Sequence, residues 1–236
     1  MIHRAWRYRQ RVDQNGIRWM SSALHSGDLS VDVGAYKGGY TYWMRRGVGG
    51  EGRVLAFEPQ PEAASMLRRY VAAFAWQNVS VVEVALSSAP GETTLLRPGE
   101  GPSPAASLVG ASLPPGPRSF PVTVDTLDRC LAALAPGSRL RLLKCDAEGH
   151  ELDVFLGARD TLREHRPVIL FECEARHLLG GTVEDVFAHL AGLGYRGRFF
   201  WHGESVDVAR FDARVHQVEG RRPYANNFVF VPGPPD

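Results

Sequence analysis

Residues 29–41 read LSVDVGAYKGGYT, and this stretch decides the fold. A short apolar run ends on Asp32 and passes into a turn carrying Gly34, Gly38 and Gly39. In an open α/β sheet, ligands bind beyond the carboxyl ends of the strands, where strand order reverses. A turn of this composition in that place is read as a nucleotide-type binding turn. A dinucleotide fingerprint needs G-x-G-x-x-G, whose second glycine lets backbone approach a pyrophosphate. Here Ala35 and Tyr36 follow Gly34, and the pattern is D-x-G-x-x-x-G. That suits a ligand without a pyrophosphate. The next strand, RVLAFEP, ends on Glu58, placed where an acid of this topology accepts hydrogen bonds from two ribose hydroxyls.

Outward from this turn, strand-like and helix-like segments alternate. TYWMRRG follows the first strand, PEAASMLRRYVAAF the second, and VSVVEVALS reads as a third strand. Later RLLKCDAE leads into the helical ELDVFLGARDTLREH, PVILFECE leads into TVEDVFAHLAGLG, and RFFWH and NNFVFVP close the chain. Val183, Val186, Phe187, Leu190 and Leu193 form one helical stripe, with Thr182 as N-cap and Gly194 past its end. Leu152, Phe155, Leu156 and Leu162 form another, and Pro61 suits a first helical turn. Strands with little alternation are buried on both faces, as a parallel sheet requires. The expected fold is α/β: a doubly wound, mostly parallel sheet with right-handed crossovers, the last strand antiparallel at one edge. Residues 1–28 are expected to form an N-terminal helical segment. Residues 97–120 hold six prolines and no helical stripe, and are read as a loop-rich insertion forming a mobile flap over an acceptor pocket.

VDVGAYKGGYT, LAFEPQP, VEVALSSAPGETTL, VTVDTLD and above all KCDAEGHELDVFLGA together resemble the FkbM family of methyltransferases, across roughly residues 29–231. The resemblance implies S-adenosylmethionine (SAM) as cofactor and a class I Rossmann-like, seven-stranded sheet with an antiparallel seventh strand. Residues 29–236 would then be one SAM-dependent methyltransferase domain. The resemblance places Asp32, Gly34, Ala35 and Gly38 around the methionine end of SAM and Glu58, followed by Pro59, at its ribose. It places Ala85 and Leu86, after Val84, beside the adenine, and Thr41 at the cofactor carboxylate.

Asp146, Glu148, His150 and Glu151 crowd into six residues at a strand end. In a strand-like stretch Asp146 and Glu148 point the same way. Methyl transfer to a hydroxyl needs its proton removed, and a placed base contributes about 10²–10⁴-fold. Asp146 is read as the holder of the cofactor amine, Glu148 as first candidate for the base and His150 as second. Glu151 is read as a helix N-terminal acid, and Lys144 as a structural ion-pair partner. Glu172 is read as an inward, substrate-side acid. With Asp146 and Glu148 it raises a divalent-metal site, but no ligand spacing supports one and no metal is assigned. Trp201, His202, Tyr224 and Asn226 are candidates for the pocket edge, with packing the plainer role for each.

The reaction so expected is O-methylation of a sugar or natural-product hydroxyl. The alternatives are a nicotinamide-dependent oxidoreductase on a Rossmann fold and a non-catalytic SAM-binding module. The net charge of +1 favours neither nucleic acid nor an anionic membrane, so the expected partner is a small-molecule acceptor. The basic N-terminus lacks an apolar run, and Cys130, Cys145 and Cys173 show no paired spacing. Both point to a cytoplasmic protein with reduced, buried thiols and no stable membrane insertion.

Overall fold

The computed structural model describes residues 2–7, 9–10, 13–108, 118–178 and 180–234. The chain begins with α1 (Ile2–Arg7) and α2 (Gln14–Ala23), the latter capped by Asp13, which accepts the Gly16 N–H at 2.8 Å. Then come β1 (Leu29–Val33), α3 (Gly39–Val48), β2 (Arg53–Phe57), α4 (Pro61–Ala73) and β3 (Val79–Val82). β1 lies between β2 and the later strand β8 (Leu140–Cys145), parallel to both. All five of its residues are buried. Val31 and Val33 enter one apolar core. Ser30 and Asp32 turn to the opposite face, where Val54, Ala56 and Leu142 pack with α2 and α3. Two-sided burial explains why this strand carries no solvent-facing polar alternation.

The principal sheet has eight strands among the described residues. Beyond β8 lies β9 (Val168–Glu172), parallel to it. β10 (Tyr195–Trp201) follows α8 (Val183–Gly192), and β11 (Glu204–Asp207) pairs with it as a hairpin. The last strand, β12 (Asn227–Pro232), is antiparallel as expected, but it is not at an edge. It inserts between β9 and β10, and β11 takes the edge instead. β12 places Phe228 and Phe230 against Phe171 and Phe187, a ring cluster that an edge position would leave half open.

Other expectations shift as well. VSVVEVALS is not one strand: β3 ends at Val82, and β4 (Ala85–Leu86) joins a second sheet. That sheet, with β5 (Gly91–Leu96), β6 (Ser107–Leu108) and β7 (Ser119–Asp125), has the order β4-β7-β5-β6 and a small core of Ala85, Leu95, Val122 and Val124. The 97–120 stretch therefore contributes β6 and the first residues of β7 to this sheet, while residues 109–117 lie outside the described part. The helix expected over 151–165 is two helices, α6 (Glu151–Leu156) and α7 (Arg159–Glu164). Asp128, at the start of α5 (Leu127–Leu134), explains the break. Its N–H donates to the Gly157 carbonyl, and its carboxylate accepts the Asp160 and Thr161 N–H groups, restarting the helix. α8 begins with the expected Thr182 cap, which forms a reciprocal capping box with Asp185. α9 (Ala213–His216) precedes β12. All three cysteines are free and buried. No helix among the described residues is long and apolar enough to cross a membrane.

Candidate active site

Strand order reverses between β1 and β8, and a cavity opens beyond the carboxyl ends of these strands, the place where ligands bind in open α/β sheets. Asp32, Ala35, Glu58, Pro59, Asp146 and Glu148 all line it, with His150 at the same end. Ala85, Leu86, Leu95 and Leu108 supply an apolar wall from the second sheet.

The floor is an ion-pair cluster set by strand register. Asp32 and Lys144 are direct partners across β1 and β8. The Lys144 ammonium lies 3.4 Å from Asp146 Oδ2, 3.6 Å from Asp32 Oδ1 and 3.3 Å from the Val33 carbonyl. Burial alone would lower the Lys144 pKa, but the Asp146 and Asp32 carboxylates outweigh it and raise it. Asp32 Oδ2 accepts the Thr41 hydroxyl at 2.5 Å, whereas Oδ1 has no hydrogen-bond partner. Burial raises the Asp32 pKa against Lys144 and Thr41.

Thr41 stands back from the cavity. Its hydroxyl is buried against Asp32, and the residue does not line the cavity. Gly38 also stands back from the wall. It is the N-cap of α3, at φ 75°, and Gly39 lines the cavity in its place. Gly34 is required for a different reason than ligand approach. At φ 69°, a Cβ on residue 34 would overlap the Asp146 carbonyl, so the glycine lets the ends of β1 and β8 meet.

Glu58 is 2% exposed. Its Oε2 accepts the Tyr36 N–H at 2.7 Å and its Oε1 the Gln60 N–H at 2.9 Å. Burial lifts its pKa to about 7 despite those bonds. The described part of the insertion clamps this corner. Tyr36 donates its hydroxyl to the Pro102 carbonyl, and Gln60 exchanges two hydrogen bonds with Ser103. The segment thus closes over the Glu58 end of the cavity, while Ser107 reaches the Glu148 carbonyl at 2.8 Å. The described part of the insertion thus touches both the Glu58 and the Glu148 corners of the cavity.

Asp146 and Glu148 share the cavity, but not by strand alternation. β8 stops at Cys145, and Glu148 sits in a loop at φ 51°, a left-handed conformation costly for a residue with a side chain. Glu151 holds that loop by accepting the Ala147 and Gly149 N–H groups, consistent with its reading as a helix-start acid. Burial first, then Asp146, Glu151 and Glu174, push the Glu148 pKa up to about 8. Its Oε2 lies 2.8 Å from His177 Nδ1. His150 Nε2 is 2.9 Å from Ser87 Oγ, and its Nδ1 is 3.5 Å from Asp153; burial lowers its pKa.

Glu172 does not line the cavity. Its Oε1 accepts the Asn226 amide at 2.6 Å, and burial with Asp146 and Glu148 nearby raises its pKa well above the ordinary value. Among the described residues no group of three or more His, Cys, Asp or Glu is arranged to hold a metal ion. Tyr224 and Asn226 bind Glu174, and Trp201 packs edge-on against His216, so these serve structure around the site. Sequence reasoning missed Tyr40 and Gln60, which line the cavity, and His177, which stands against Glu148. Gln60 was readable from its place just after Glu58; nothing local in the sequence marked the other two.

Glu58, Glu148 and Glu151 hold protons in the folded state up to about pH 7, 8 and 7, against 4.5 for an ordinary glutamate. Between those limits the folded state binds more protons than the unfolded chain, so stability falls as pH rises. Urea midpoints of the protein alone are expected to drop steadily from about pH 5 to about pH 8; a flat or rising series would contradict the buried, proton-holding carboxyls.

No curated protein matches the chain in sequence. By fold it is similar to an FkbM methyltransferase from Methylobacillus flagellatus KT, at 15% identity and TM-score 0.56, over 87% of this chain and 43% of that one. The chain thus spans under half the length of that protein. It is similar to a putative rRNA-methylase from Clostridium thermocellum, at 10% identity and TM-score 0.56, over 94% and 96% of the two chains. It is also similar to precorrin-6y C5,15-methyltransferase from Geobacter metallireducens GS-15, at 11% identity and TM-score 0.52, over 95% and 89%. These likenesses establish the α/β methyltransferase fold. The methyltransferase FkbM domain profile matches residues 32–196, a span that begins at the Asp32 floor acid and includes both loops of the cavity, so the chain belongs to the FkbM methyltransferase family.

Proposed function

We propose that the protein is a SAM-dependent methyltransferase acting on a hydroxyl oxygen of a sugar or natural-product small molecule. One observation carries this reading: a single cavity joins an acid-lined end at Asp32, Glu58 and Asp146 to a separate carboxylate, Glu148, whose Oε2 lies 2.8 Å from His177 Nδ1. The donor set fits the cofactor. Asp32 Oδ1 is a buried oxygen without a hydrogen-bond partner, and the surrounding carboxylates suit a ligand bearing two positive centres. Each Glu58 oxygen accepts one N–H and retains a lone pair for a ribose hydroxyl. Asp146 would hold the amine, with Gly34 and Ala35 beside it, and Ala85 and Leu86 would face the adenine, with Pro59 at the ribose edge.

When bound, SAM supplies an electrophilic methyl group on a good leaving group. The protein's own residues then orient the acceptor, exclude water beneath the 97–108 segment, and take the hydroxyl proton at Glu148 Oε1. The half-buried Glu172 shapes the acceptor side from behind, through Asn226. The absence of a second close glycine in the turn and the family's chemistry both favour methyl transfer over hydride transfer.

Calorimetry with SAM and with NADH tests the cofactor. SAM is expected to bind and NADH to give no heat, with Glu58→Ala weakening SAM by about 1–3 kcal/mol, the cost of losing hydrogen bonds to a charged group. Tight NADH binding without a SAM response would overturn the reading. A panel of hydroxylated sugars and polyketide-type alcohols with methyl-labelled SAM then separates enzyme from binding module.

A further inference from the structure

Resting on the reading of Glu148 as acceptor-side base, we propose that His177 is a positioning residue: its Nδ1 engages Oε2 of Glu148 and leaves Oε1 for the acceptor hydroxyl. His177 comes from the loop after β9, far from Glu148 in sequence, yet two independent contacts join them. The side chains meet at 2.8 Å, with 28% of the His177 side chain and 18% of the Glu148 side chain exposed. The backbones lock as well. Gly149, at φ 94°, packs against the His177 carbonyl so closely that any Cβ there would overlap it. The His177 N–H in turn donates to the Glu174 carbonyl at 2.9 Å, fixing the loop that carries it.

The surroundings give this contact a purpose. Glu148 faces Asp146 at the end of β8, Glu151 on α6 and Glu174 after β9, with Lys144 as the countering cation. Three carboxylates oppose its ionisation, and only an ionised Glu148 can take a proton. With its proton on Nδ1, an imidazole 2.8 Å from Oε2 favours the ionised carboxylate and leaves Oε1 for the acceptor. Gly149 has the same logic: its missing side chain permits the approach of the loop that brings His177 to its partner.

The test follows the Glu148 carboxyl itself by NMR, in protein carrying carboxyl-labelled glutamate, with the resonance assigned by Glu148→Gln. No donor or acceptor is added. In His177→Phe the Glu148 midpoint is expected to rise by about one pH unit, a tenfold change in proton affinity. His177→Asn, whose amide nitrogen falls near the Nδ1 position, is expected to restore it. An unchanged midpoint in His177→Phe, or an equal rise in His177→Asn, overturns the proposal. Should His177→Phe not fold, His177→Gln takes its place, since its amide cannot reach the Nδ1 position. The titration is independent of SAM calorimetry, so a silent calorimeter sinks the proposed function while leaving this contact tested on its own terms.

Discussion

Lys144→Met is expected to lower the unfolding free energy by about 3–5 kcal/mol at neutral pH, the usual cost of removing one partner from a buried ion pair. Lys144 is 5% exposed and Asp32 fully buried, in register on adjacent central strands. Methionine fills the same volume but leaves the Asp32 and Asp146 carboxylates facing each other without a cation. Asp32 would meet the loss in part by taking up a proton, which limits the damage but does not abolish it. Adding Asp32→Asn to Lys144→Met should therefore return a large part of the lost stability. The measurement is the urea midpoint at constant slope for the single and double variants. A single-variant loss below about 1 kcal/mol would mean that the cluster is solvated and not the rigid floor of the cavity.

Much of this floor was legible in the chain. Asp32 and Lys144 stand out as charges inside apolar strand runs, and a buried charge in such a run needs a partner. Glu58 was legible because a strand-end acid at that point in the topology has a defined place. What the sequence hid depends on contacts between distant segments. The insertion of β12 between β9 and β10 is decided by aromatic packing of Phe228 and Phe230, which no local pattern encodes. The break between α6 and α7 follows from Asp128, which lies on another helix. Thr41 was legible only as a helix-start hydroxyl, which serves a ligand or a neighbour equally well. Here the neighbour is a buried carboxylate, and it takes the bond.

The two ends of the cavity are built on different principles, and that difference bears on function. At the Asp32 and Glu58 end, every polar group is fixed by strand register or by backbone N–H groups of tight turns. At the Glu148 end, both candidate bases sit on loops, and their partners come from β4's exit at Ser87 and from the loop after β9. On the proposed reading, a rigid donor end with a loop-built acceptor end would let one scaffold serve different acceptors by loop variation.

The acceptor end is where the largest kinetic effect is expected. Glu148→Gln should reduce single-turnover methyl transfer by about 10²–10⁴-fold at saturating SAM, the contribution of a placed base. SAM affinity should stay unchanged. The amide keeps the volume and the contact with His177 but cannot accept the hydroxyl proton, so the O–H bond has no base to break to as the new O–C bond forms. The wild-type rate should rise with pH through about 8, because Glu148 must lose its own proton first and burial beside Asp146, Glu151 and Glu174 holds it that high. That limb should vanish in Glu148→Gln. Asp146→Asn is the contrasting variant: it should lose SAM affinity as well as rate, since Asp146 shares the lysine of the donor floor. His150→Ala should leave the high-pH limb in place, because burial already keeps that imidazole neutral well below it and its ring is engaged with Ser87 and Asp153. If His150→Ala is the inactive variant and Glu148→Gln turns over at the wild-type rate, the base is the histidine and the Glu148 loop serves binding alone.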